Sequence, residues 1–304
     1  MCVFINTLLY GKVGRERAAK VIVSRLLGGL GNQLFQYAAG RALSLRLNVP
    51  YKIDISDFEN YKLRNYDLSN FNVQAGVATG NDRPAVAQGF LARLFISSSR
   101  RIRRYREKSF SFDAGFERLP DNTYLDGYWQ SEKYFKAYEE QLRDDFGIIK
   151  EPLENNRRLI DSIRGVQAVS VHVRRGDYVT NNKTNAFHGT CTVEYYKNAV
   201  SYIRNRLDAE VVCYVFSDDI QWARENLQLG AETVFVDGNG DAFAYEDMRL
   251  MSACGHHVIA NSTFSWWGAW LNPSPEKIVV APAQWFSKQS VDTSDLIPER
   301  WVRL

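Results

Sequence analysis

Several features that would narrow the function of this chain are scarce or missing. Its four cysteines, Cys2, Cys191, Cys213 and Cys254, are widely separated and form no C-x-x-C pair, which argues against a zinc site and against a disulfide framework. The apolar run at residues 1–10 covers about half of the ~20 residues that a membrane-spanning helix needs. Basic residues follow this run, whereas in a signal peptide they precede it. We therefore expect a soluble protein of a reducing compartment.

Charge and length limit the answer further. A net charge of +3 over 304 residues is too small to indicate nucleic acid. Aromatic residues make up 13%, which suits stacking on carbohydrate or on bases. The length allows two domains, and we place their boundary in the polar segment 150–165, which contains Pro152. The organisation we expect is an extension over residues 1–19, a first domain over 20–155 and a second over 156–304.

Predicted strands and helices alternate along the chain. A strand at 19–26, a glycine turn at 28–33 and a helical pattern from Leu34 to Leu45 precede a strand at 50–55, which makes a βαβ unit. Beyond the boundary we predict strands at 167–173, 211–217, 233–237, 256–260 and 277–281, with helices at 193–207, 219–228, 243–253 and 265–271. This rhythm is typical of an α/β protein with a doubly wound parallel sheet.

Two adjacent arginines, Arg174 and Arg175, follow the buried strand at 167–173. Guanidinium groups stay charged and present planar donors that match phosphate oxygens. Ligands of open α/β sheets bind at the carboxyl ends of strands, which is where this pair falls. The pair therefore predicts a diphosphate site, although two neighbouring arginines on a loop are also typical of a solvated surface.

A turn rich in hydroxyl groups follows a later strand. Ser262, Thr263 and Ser265 stand where that strand passes into a helix, so their side chains, the free backbone N–H groups and the helix dipole are directed at one spot. A phosphate fits there, but the same residues are also ordinary helix N-caps. Asn32 lies in the first turn of another helix, where its amide adjoins a second anion site.

Other polar positions admit two interpretations. Ser217 and Asp218 end the strand at 211–217, where either a ligand contact or a helix cap explains them. Asp247 can accept hydrogen bonds from a ribose or a guanine, or can pair with a neighbouring arginine. The basic run at 100–106 is either a solvated face or a contact with an anionic membrane surface or a phosphate-bearing acceptor.

Aromatic residues crowd the turn after the strand that begins at Thr123. Tyr128, Trp129 and Gln130 are placed at a strand end, where they could form a platform for an acceptor sugar. The alternative is that most of these aromatic side chains belong to the core. Both interpretations remain open from the residues alone.

No metal site is visible in the sequence. The aspartates never form Asp-x-Asp, with which one class of nucleotide-sugar transferases holds a divalent ion. Arginine and helix N-termini would then have to neutralise a leaving diphosphate. The pair His256 and His257 has no third ligand in view, which favours a structural role.

These motifs together resemble the α1,2-fucosyltransferases of bacteria and animals, which move fucose from GDP-fucose to a galactose hydroxyl. The matching blocks extend from about residue 21 to the C-terminus and are GGLGNQLFQYAAGRAL from Gly28, GYWQSEKYF from Gly127, HVRRGDY from His172, VFSDD from Val215 and HHVIANSTFSWWGAWLN from His256. The resemblance implies a GT-B fold, in which two Rossmann-like domains face a cleft. It also implies an inverting reaction that needs no metal ion and no other cofactor.

The resemblance implies roles around the arginine pair. Arg174 would bind the diphosphate of GDP and act in catalysis, Arg175 would support the loop or the same charge, and His172 would lie beside the guanine. Asp177 is the nearest candidate in sequence for the general base that deprotonates the acceptor hydroxyl. An ion pair of Asp177 with one of the two arginines explains that carboxylate equally well.

The resemblance also implies contacts from other motifs. Asp247 matches the acidic position that holds the nucleoside, and the segment from Thr263 to Ser265 matches the phosphate-binding turn. Gly31 and Asn32 would approach the diphosphate from the opposite domain. We also count Ser262 and Asp218 among the donor contacts.

Three other functions remain to be separated from this one. A non-catalytic nucleotide-sugar binding protein would keep the donor residues, and a fucosyltransferase of another linkage would keep the whole donor site. A nucleic-acid binder would use the run at 100–106 and would show strongly salt-dependent affinity. We expect a bacterial cytoplasmic enzyme, peripheral at the inner membrane face, whose acceptor is a galactose-ended surface glycan on a lipid.

Overall fold

A computed structural model describes residues 20–59, 64–84, 102–176, 189–288 and 291–304. It has two parallel sheets, one in each half of the chain. The strands are β1 (Ile22–Arg25), β2 (Tyr51–Asp54), β3 (Gly76–Val77), β4 (Arg103–Arg106), β5 (Thr123–Asp126), β6 (Ala168–Val173), β7 (Val212–Ser217), β8 (Glu232–Phe235), β9 (His256–Val258), β10 (Val279–Ala281) and β11 (Val302–Arg303).

Seven α-helices and several short 3₁₀-helices connect these strands in the described segments. The α-helices are α1 (Leu30–Leu47), α2 (Glu139–Asp145), α3 (Glu154–Arg164), α4 (Val193–Leu207), α5 (Ile220–Asn226), α6 (Ala244–Ala253) and α7 (Thr263–Leu271). The 3₁₀-helices are Ser56–Glu59, Leu68–Asn70, Gly80–Asp82, Ala114–Arg118, Glu132–Tyr134, Lys136–Tyr138 and Asp241–Phe243.

The first sheet has the order β3-β2-β1-β5-β4, and all of its strands are parallel. Ile22 of β1 lies opposite Tyr51 on one side and Thr123 on the other. The strand order reverses between β1 and β5, which is where ligands bind in open α/β sheets. The segments that follow these two strands are the glycine turn before α1 and the aromatic turn from Gly127.

The second sheet has the order β11-β10-β9-β6-β7-β8, again with parallel strands. From its far edge this is the third, second, first, fourth, fifth and sixth strand of the half, which is the order of a Rossmann domain. All six residues of β6 are buried, as expected for a central parallel strand covered on both faces. The strand order of the second sheet reverses between β6 and β9. The arginine pair follows β6 and the hydroxyl-rich turn follows β9, so both lie at this point.

Helix α7 joins the cores of the two halves. Trp266, Trp267 and Trp270 are fully buried, and they share one apolar cluster with residues of both sheets. The ring of Phe35 on α1 lies 4.5 Å from the ring of Trp266 and 4.9 Å from that of Trp267. Replacing one of these tryptophans by alanine should cost about 3–5 kcal/mol of stability.

The C-terminal segment also connects the two halves. Arg300 donates from Nη1 to both carboxylate oxygens of Glu132, at 2.6 and 2.8 Å. The backbone carbonyl of Asp295 accepts from the hydroxyl of Ser131 at 2.7 Å, and its carboxylate accepts from the Phe112 N–H at 2.8 Å. The second half therefore returns to the first beyond its own sheet.

Helix α3 and strand β4 are among the elements that were not predicted from the sequence. The predicted boundary segment contains α3, whose buried residues Asn156 and Ile163 face the protein. Part of the basic run forms β4, whose partner among the described strands is β5. The side chains of Arg104 and Arg106 in β4 pair with Asp126, at 3.8 and 3.3 Å. Charged side chains are typical of edge strands because they discourage pairing with other chains.

Candidate functional site

The N-termini of two helices from different halves meet at one point. A Cβ at Gly31 would lie 2.5 Å from the carbonyl carbon of Thr263 and 2.6 Å from the backbone nitrogen of Phe264, so only glycine permits this approach. Neither α1 nor α7 has an acidic residue in its first turn. Two positive helix ends therefore converge without a carboxylate to neutralise them, which favours an anion there.

Three polar side chains join at this point. The Thr263 hydroxyl donates to Oδ1 of Asn32 at 3.1 Å, and Nε2 of Gln130 donates to the same oxygen at 3.1 Å. Asn32 follows β1, Gln130 follows β5 and Thr263 follows β9. The carboxyl edges of the two sheets thus face each other, and these residues lie between them.

The glycine turn before α1 is held by two glutamines that the sequence analysis did not single out. Gln33 donates from Nε2 to the carbonyl oxygens of Gly28 and Asn65, at 2.9 and 2.8 Å. Gln36 accepts from the Leu27 N–H at 2.9 Å. Both side chains are fully buried. The sequence signal for this role was the presence of two glutamines on the core face of an apolar helix, because a buried amide group needs hydrogen-bond partners.

The two guanidinium groups of the arginine pair point to different partners, which differs from the expected side-by-side fork. Arg174 pairs through Nη1 with Oδ2 of Asp218 at 2.8 Å. The guanidinium carbon of Arg175 lies 3.7 Å from the centre of the Trp222 ring, and its Nε lies 3.6 Å from Asp219. Arg175 is therefore stacked on α5, as cation–π contact favours.

Asp218 organises the loop that carries both arginines. It accepts from the backbone N–H of Arg175 at 2.8 Å in addition to its pair with Arg174. A Cβ at Gly176 would lie 2.5 Å from Oδ2 of Asp218, so glycine gives the carboxylate room. The cap of α5 is Asp219, which accepts from the Trp222 N–H at 3.2 Å, and neither Ser217 nor Asp218 is that cap.

Strand register places Arg174 beside the start of α7. Val171 of β6 lies opposite Val258 of β9, so Arg174 and Asn261 are each three residues beyond a paired position. The ring of His172 lies 5.6 Å from that of Phe264 in the first turn of α7. Neighbouring parallel strands are about 5 Å apart, so Arg174 leaves the sheet close to the convergent helix ends.

His172 is a buried neutral side chain in this region. Burial, together with the positive charge of Arg174, lowers the pKa of its imidazole to about 3. Its Nδ1 atom is buried and has no hydrogen-bond partner within the described segments. An unpaired buried nitrogen is costly, so a ligand that bonds to it is favoured.

Asp247 belongs to a chain of buried amides and carboxylates. Asn239 donates to Oδ1 of Asp247 at 2.7 Å, and Asn156 donates to Asn239 at 2.8 Å and to the fully buried Glu246 at 2.9 Å. Burial raises the pKa of Asp247 to about 6, the Asn239 bond opposes this rise, and the Glu246 charge adds to it. Asn156 lies on α3, in the segment where the sequence predicted only a domain boundary. The apolar residues Leu159, Ile160 and Ile163 at helical spacing were the available signal for that helix.

The three hydroxyls of the turn before α7 have different partners. Ser262 is the N-cap of α7 and accepts from the Phe264 N–H at 3.3 Å. Ser265 is fully buried and donates to the Ser262 carbonyl at 3.2 Å. Thr263, which contacts Asn32, is therefore the hydroxyl of this turn that lies at the meeting point of the two halves.

The aromatic turn from Gly127 is fixed by a half-buried carboxylate. Glu107 accepts from the backbone N–H groups of Tyr128 and Trp129, at 2.7 and 2.9 Å. Burial raises the pKa of Glu107, and these two bonds oppose the rise. Trp129 has φ +57° and is 1% exposed, so its indole is part of the core and offers no open face to a sugar. Tyr128 is partly buried.

The histidine pair is structural in its contacts. Nε2 of His257 accepts from the amide of Asn272 at 2.9 Å, so the imidazole proton is on Nδ1 and donates to Ser170 at 2.8 Å. Nδ1 of His256 accepts from the Ile278 N–H at 3.1 Å. Over the described ranges no three His, Cys, Asp or Glu side chains are grouped to hold a metal ion.

The candidate base Asp177 and the extension at 1–19 lie outside the described residues. In the described part, no helix is long and apolar enough to cross a membrane.

Comparisons with known proteins agree with the sequence motifs. The family model described as "Glycosyl transferase family 11" matches residues 24–304. The chain is 36% identical over 292 residues to an Escherichia coli protein named "Alpha-1,2-colitosyltransferase", covering 93% of this chain and 99% of that one. It is 29% identical over 155 residues to "Galactoside alpha-(1,2)-fucosyltransferase 1" of Saimiri boliviensis boliviensis, covering 48% of this chain and 42% of that one.

A solved structure shows the same fold. It is that of an Arabidopsis thaliana FUT1 variant in complex with GDP, with a TM-score of 0.51 and 10% sequence identity, covering 86% of this chain and 70% of that one. The likeness, together with the two parallel sheets, confirms the expected GT-B fold of two Rossmann-like domains facing a cleft.

Proposed function

The chain belongs to glycosyl transferase family 11, and from this premise we propose that it moves L-fucose from GDP-β-L-fucose to the 2-hydroxyl of a terminal galactose. The product linkage is α1,2, so the sugar is inverted. The motifs that resemble α1,2-fucosyltransferases and the partial match to a galactoside α1,2-fucosyltransferase support fucose and galactose. The longer match to an α1,2-colitosyltransferase supports the linkage but makes colitose the second candidate sugar.

The convergence of two helix N-termini carries this proposal. A nucleotide-sugar transferase must stabilise the negative charge that grows on the leaving diphosphate. Here α1 and α7 direct their positive ends at one point, and Asn32 and Thr263 line it. Neither helix has an acidic residue in its first turn, so no carboxylate of these two helix starts repels an anion at this point.

Arg174 contributes a full positive charge to the proposed site. As the bond between the sugar and the β-phosphate breaks, the sugar becomes an oxocarbenium-like cation and the phosphate oxygen gains charge. A guanidinium that is already oriented stabilises this charge without reorganising, which is why such donors act mainly on the transition state. Asp218 provides that orientation through the 2.8 Å ion pair with Arg174.

The nucleoside end of the donor is proposed to lie at Asp247. The guanine N1–H and 2-amino groups are both donors, so an ionised carboxylate accepts from guanine, whereas adenine has no donor at N1. Oδ1 of Asp247 is fixed by Asn239. His172, with its buried unpaired Nδ1, is the second proposed contact with the base.

The acceptor side of the site is proposed from sequence and position. Tyr128 stays a proposed acceptor contact because it is partly exposed next to Gln130 at the carboxyl edge of the first sheet. Asp177 stays the proposed general base on its place in the motif. We further propose a surface glycan on a lipid carrier as acceptor, at the cytoplasmic face of a bacterial inner membrane, which the exposed Arg106 side chain on β4 supports.

A transfer assay tests the whole proposal. The protein is incubated with GDP-fucose or GDP-colitose, with galactose-ended oligosaccharides and an excess of chelator, and the product linkage is determined. We expect α1,2-fucosylated galactose in the presence of chelator. Transfer from GDP-colitose alone would replace the proposed donor, a different linkage would replace the proposed product, and GDP binding with no product would indicate a binding protein.

A further inference from the structure

We propose that Gln130 is a positioning residue that orients the amide of Asn32, so that Nδ2 of Asn32 is presented to the donor diphosphate. This inference rests on the proposed function, because it concerns how the proposed diphosphate site is built. It assigns Gln130 to the donor side of the reaction, although its turn was expected to bind the acceptor.

The hydrogen bonds of Asn32 determine which way its amide faces. Oδ1 accepts from Gln130 and from Thr263, each at 3.1 Å, and an amide oxygen has two lone pairs. Both lone pairs are therefore used by protein donors. Within the described segments, Nδ2 of Asn32 donates to no protein acceptor, and it is not among the buried unpaired atoms. The amide N–H₂ is thus the part of Asn32 that is left for a ligand.

The polarity of this arrangement suits an anion. An amide that presented its oxygen to a diphosphate would repel it, whereas the N–H₂ group donates to it. Asn32 is in the first turn of α1, beside the convergent helix ends. Its orientation therefore decides whether the asparagine adds to the attraction of the helix dipoles or opposes it.

The position of Gln130 is fixed from both sides. Before it, Glu107 holds the backbone of Tyr128 and Trp129. After it, the Ser131 hydroxyl donates to the carbonyl of Asp295 at 2.7 Å. Gln130 itself is 6% exposed, so its side chain lies inside the protein rather than on an open acceptor surface.

Two substitutions separate the proposed role from others. Gln130→Glu keeps the shape but has no N–H to donate, so the new carboxylate should accept from Nδ2 of Asn32 and turn its oxygen toward the ligand. Gln130→Leu removes the donor without favouring the turned amide, so its effect should be smaller. Gln74→Glu is the matched control, because it makes the same chemical change at an exposed side chain that contacts Asn72.

Equilibrium GDP binding without acceptor is the primary measurement. We expect Gln130→Glu to weaken GDP affinity more than 10-fold and Gln130→Leu by less, while Gln74→Glu matches the unaltered protein. At saturating donor, the KM for acceptor should stay within 2-fold for Gln130→Leu. Normal GDP affinity of Gln130→Glu, or a raised acceptor KM with normal GDP affinity, would overturn the inference, the second by making Gln130 an acceptor contact.

A double-mutant cycle shows whether the effect passes through Asn32. In an Asn32→Ala background, Gln130→Glu should cause little further loss of GDP affinity. An equal loss in both backgrounds would mean direct repulsion by the new charge and would overturn the inference, as would a loss that merely follows a lower melting temperature. Measurements on the unaltered protein distinguish failure of this inference from failure of the proposed function. If that protein fails to bind GDP and transfer sugar, the proposed function is overturned as well.

Discussion

Replacing Arg174 is the most direct test of how the site stabilises charge. Arg174→Ala removes a full positive charge that register places beside the convergent helix ends, and it leaves the Asp218 carboxylate without its 2.8 Å partner. Arg174→Lys keeps a charge but replaces the planar fork by a compact ammonium group. The two variants therefore separate the contribution of charge from that of geometry.

The expected magnitudes follow from these contacts. Loss of an oriented donor to a developing anion costs about 10²–10³ in kcat, or roughly 3–4 kcal/mol, so Arg174→Ala should fall by at least this factor. Arg174→Lys loses one charge-assisted hydrogen bond, worth about 1.5–3 kcal/mol, so its kcat should fall about 10- to 100-fold. Asp218 adds repulsion in the alanine variant, so Arg174→Ala with Asp218→Ala should bind GDP more tightly than Arg174→Ala alone.

The assay measures GDP release at saturating donor and acceptor for each variant, together with the melting temperature. Arg206→Lys is the matched control, since Arg206 is exposed on the last turn of α4. Near-normal kcat of Arg174→Lys would refute the need for the fork. Near-normal kcat of Arg174→Ala would refute the role of Arg174 in catalysis altogether.

Three further predictions concern other parts of the molecule. Gly31→Ala should weaken GDP binding at least 10-fold and lower the melting temperature, because its methyl group would lie 2.5 Å from Thr263; a titration with GDP and a melting curve that both match the unaltered protein would contradict this. Affinity for a GDP-sugar should fall as pH drops through about 6, because burial raises the pKa of Asp247 to about 6 and the protonated carboxyl loses acceptor capacity. The test is GDP-sugar binding between pH 8 and 5, and Asp247→Asn should abolish the pH dependence of that affinity. Burial holds the pKa of His257 well below the ~6.5 of the unfolded chain, so the unfolded state binds more protons below that pH. His257 should therefore contribute a loss of stability of up to ~1.4 kcal/mol per pH unit on acidification. Urea unfolding at pH 5–7 checks this, and an unchanged slope in His257→Gln would show that His257 is not responsible.

The inner strands of the second sheet could be predicted well, because β6, β9 and β10 are buried along their whole length and β7 over its four central residues. The short edge strand β11, which has no buried residue, was not predicted. The apolar runs around β6, β7 and β9 contrast with polar helix faces, so their positions follow from periodicity. Strand β4 could not be found this way, since its four residues include three arginines and its stability comes from pairing with β5. Helix α3 was missed because most of its residues are polar, although Leu159, Ile160 and Ile163 fall on one helical face and pack in one cluster.

The places of individual residues at strand ends and helix starts could be predicted, but the contacts between them could not. Strand ends and helix starts indicated Asn32, Thr263 and Arg174 from local pattern alone. The contact between Asn32 and Gln130 spans 98 positions and that between Asn32 and Thr263 spans 231, and no local pattern encodes such separations. The side chain of Arg175 points away from that of Arg174 because it stacks on Trp222. Trp222 lies on α5, which follows β7 and not β6.

Because of helix α7, one half of the chain cannot be exchanged without disturbing the core of the other half. Its residues follow the second sheet in sequence, yet its tryptophans complete the core of the first half, and the Arg143 guanidinium from α2 lies 4.5 Å from the Trp270 ring. An exchange of halves between two relatives at residue 155 would therefore separate each tryptophan from the pocket that evolved with it. A functional chimera would have to move α7 and its facing surface on α1 together, because the ring of Phe35 packs on Trp266 and Trp267.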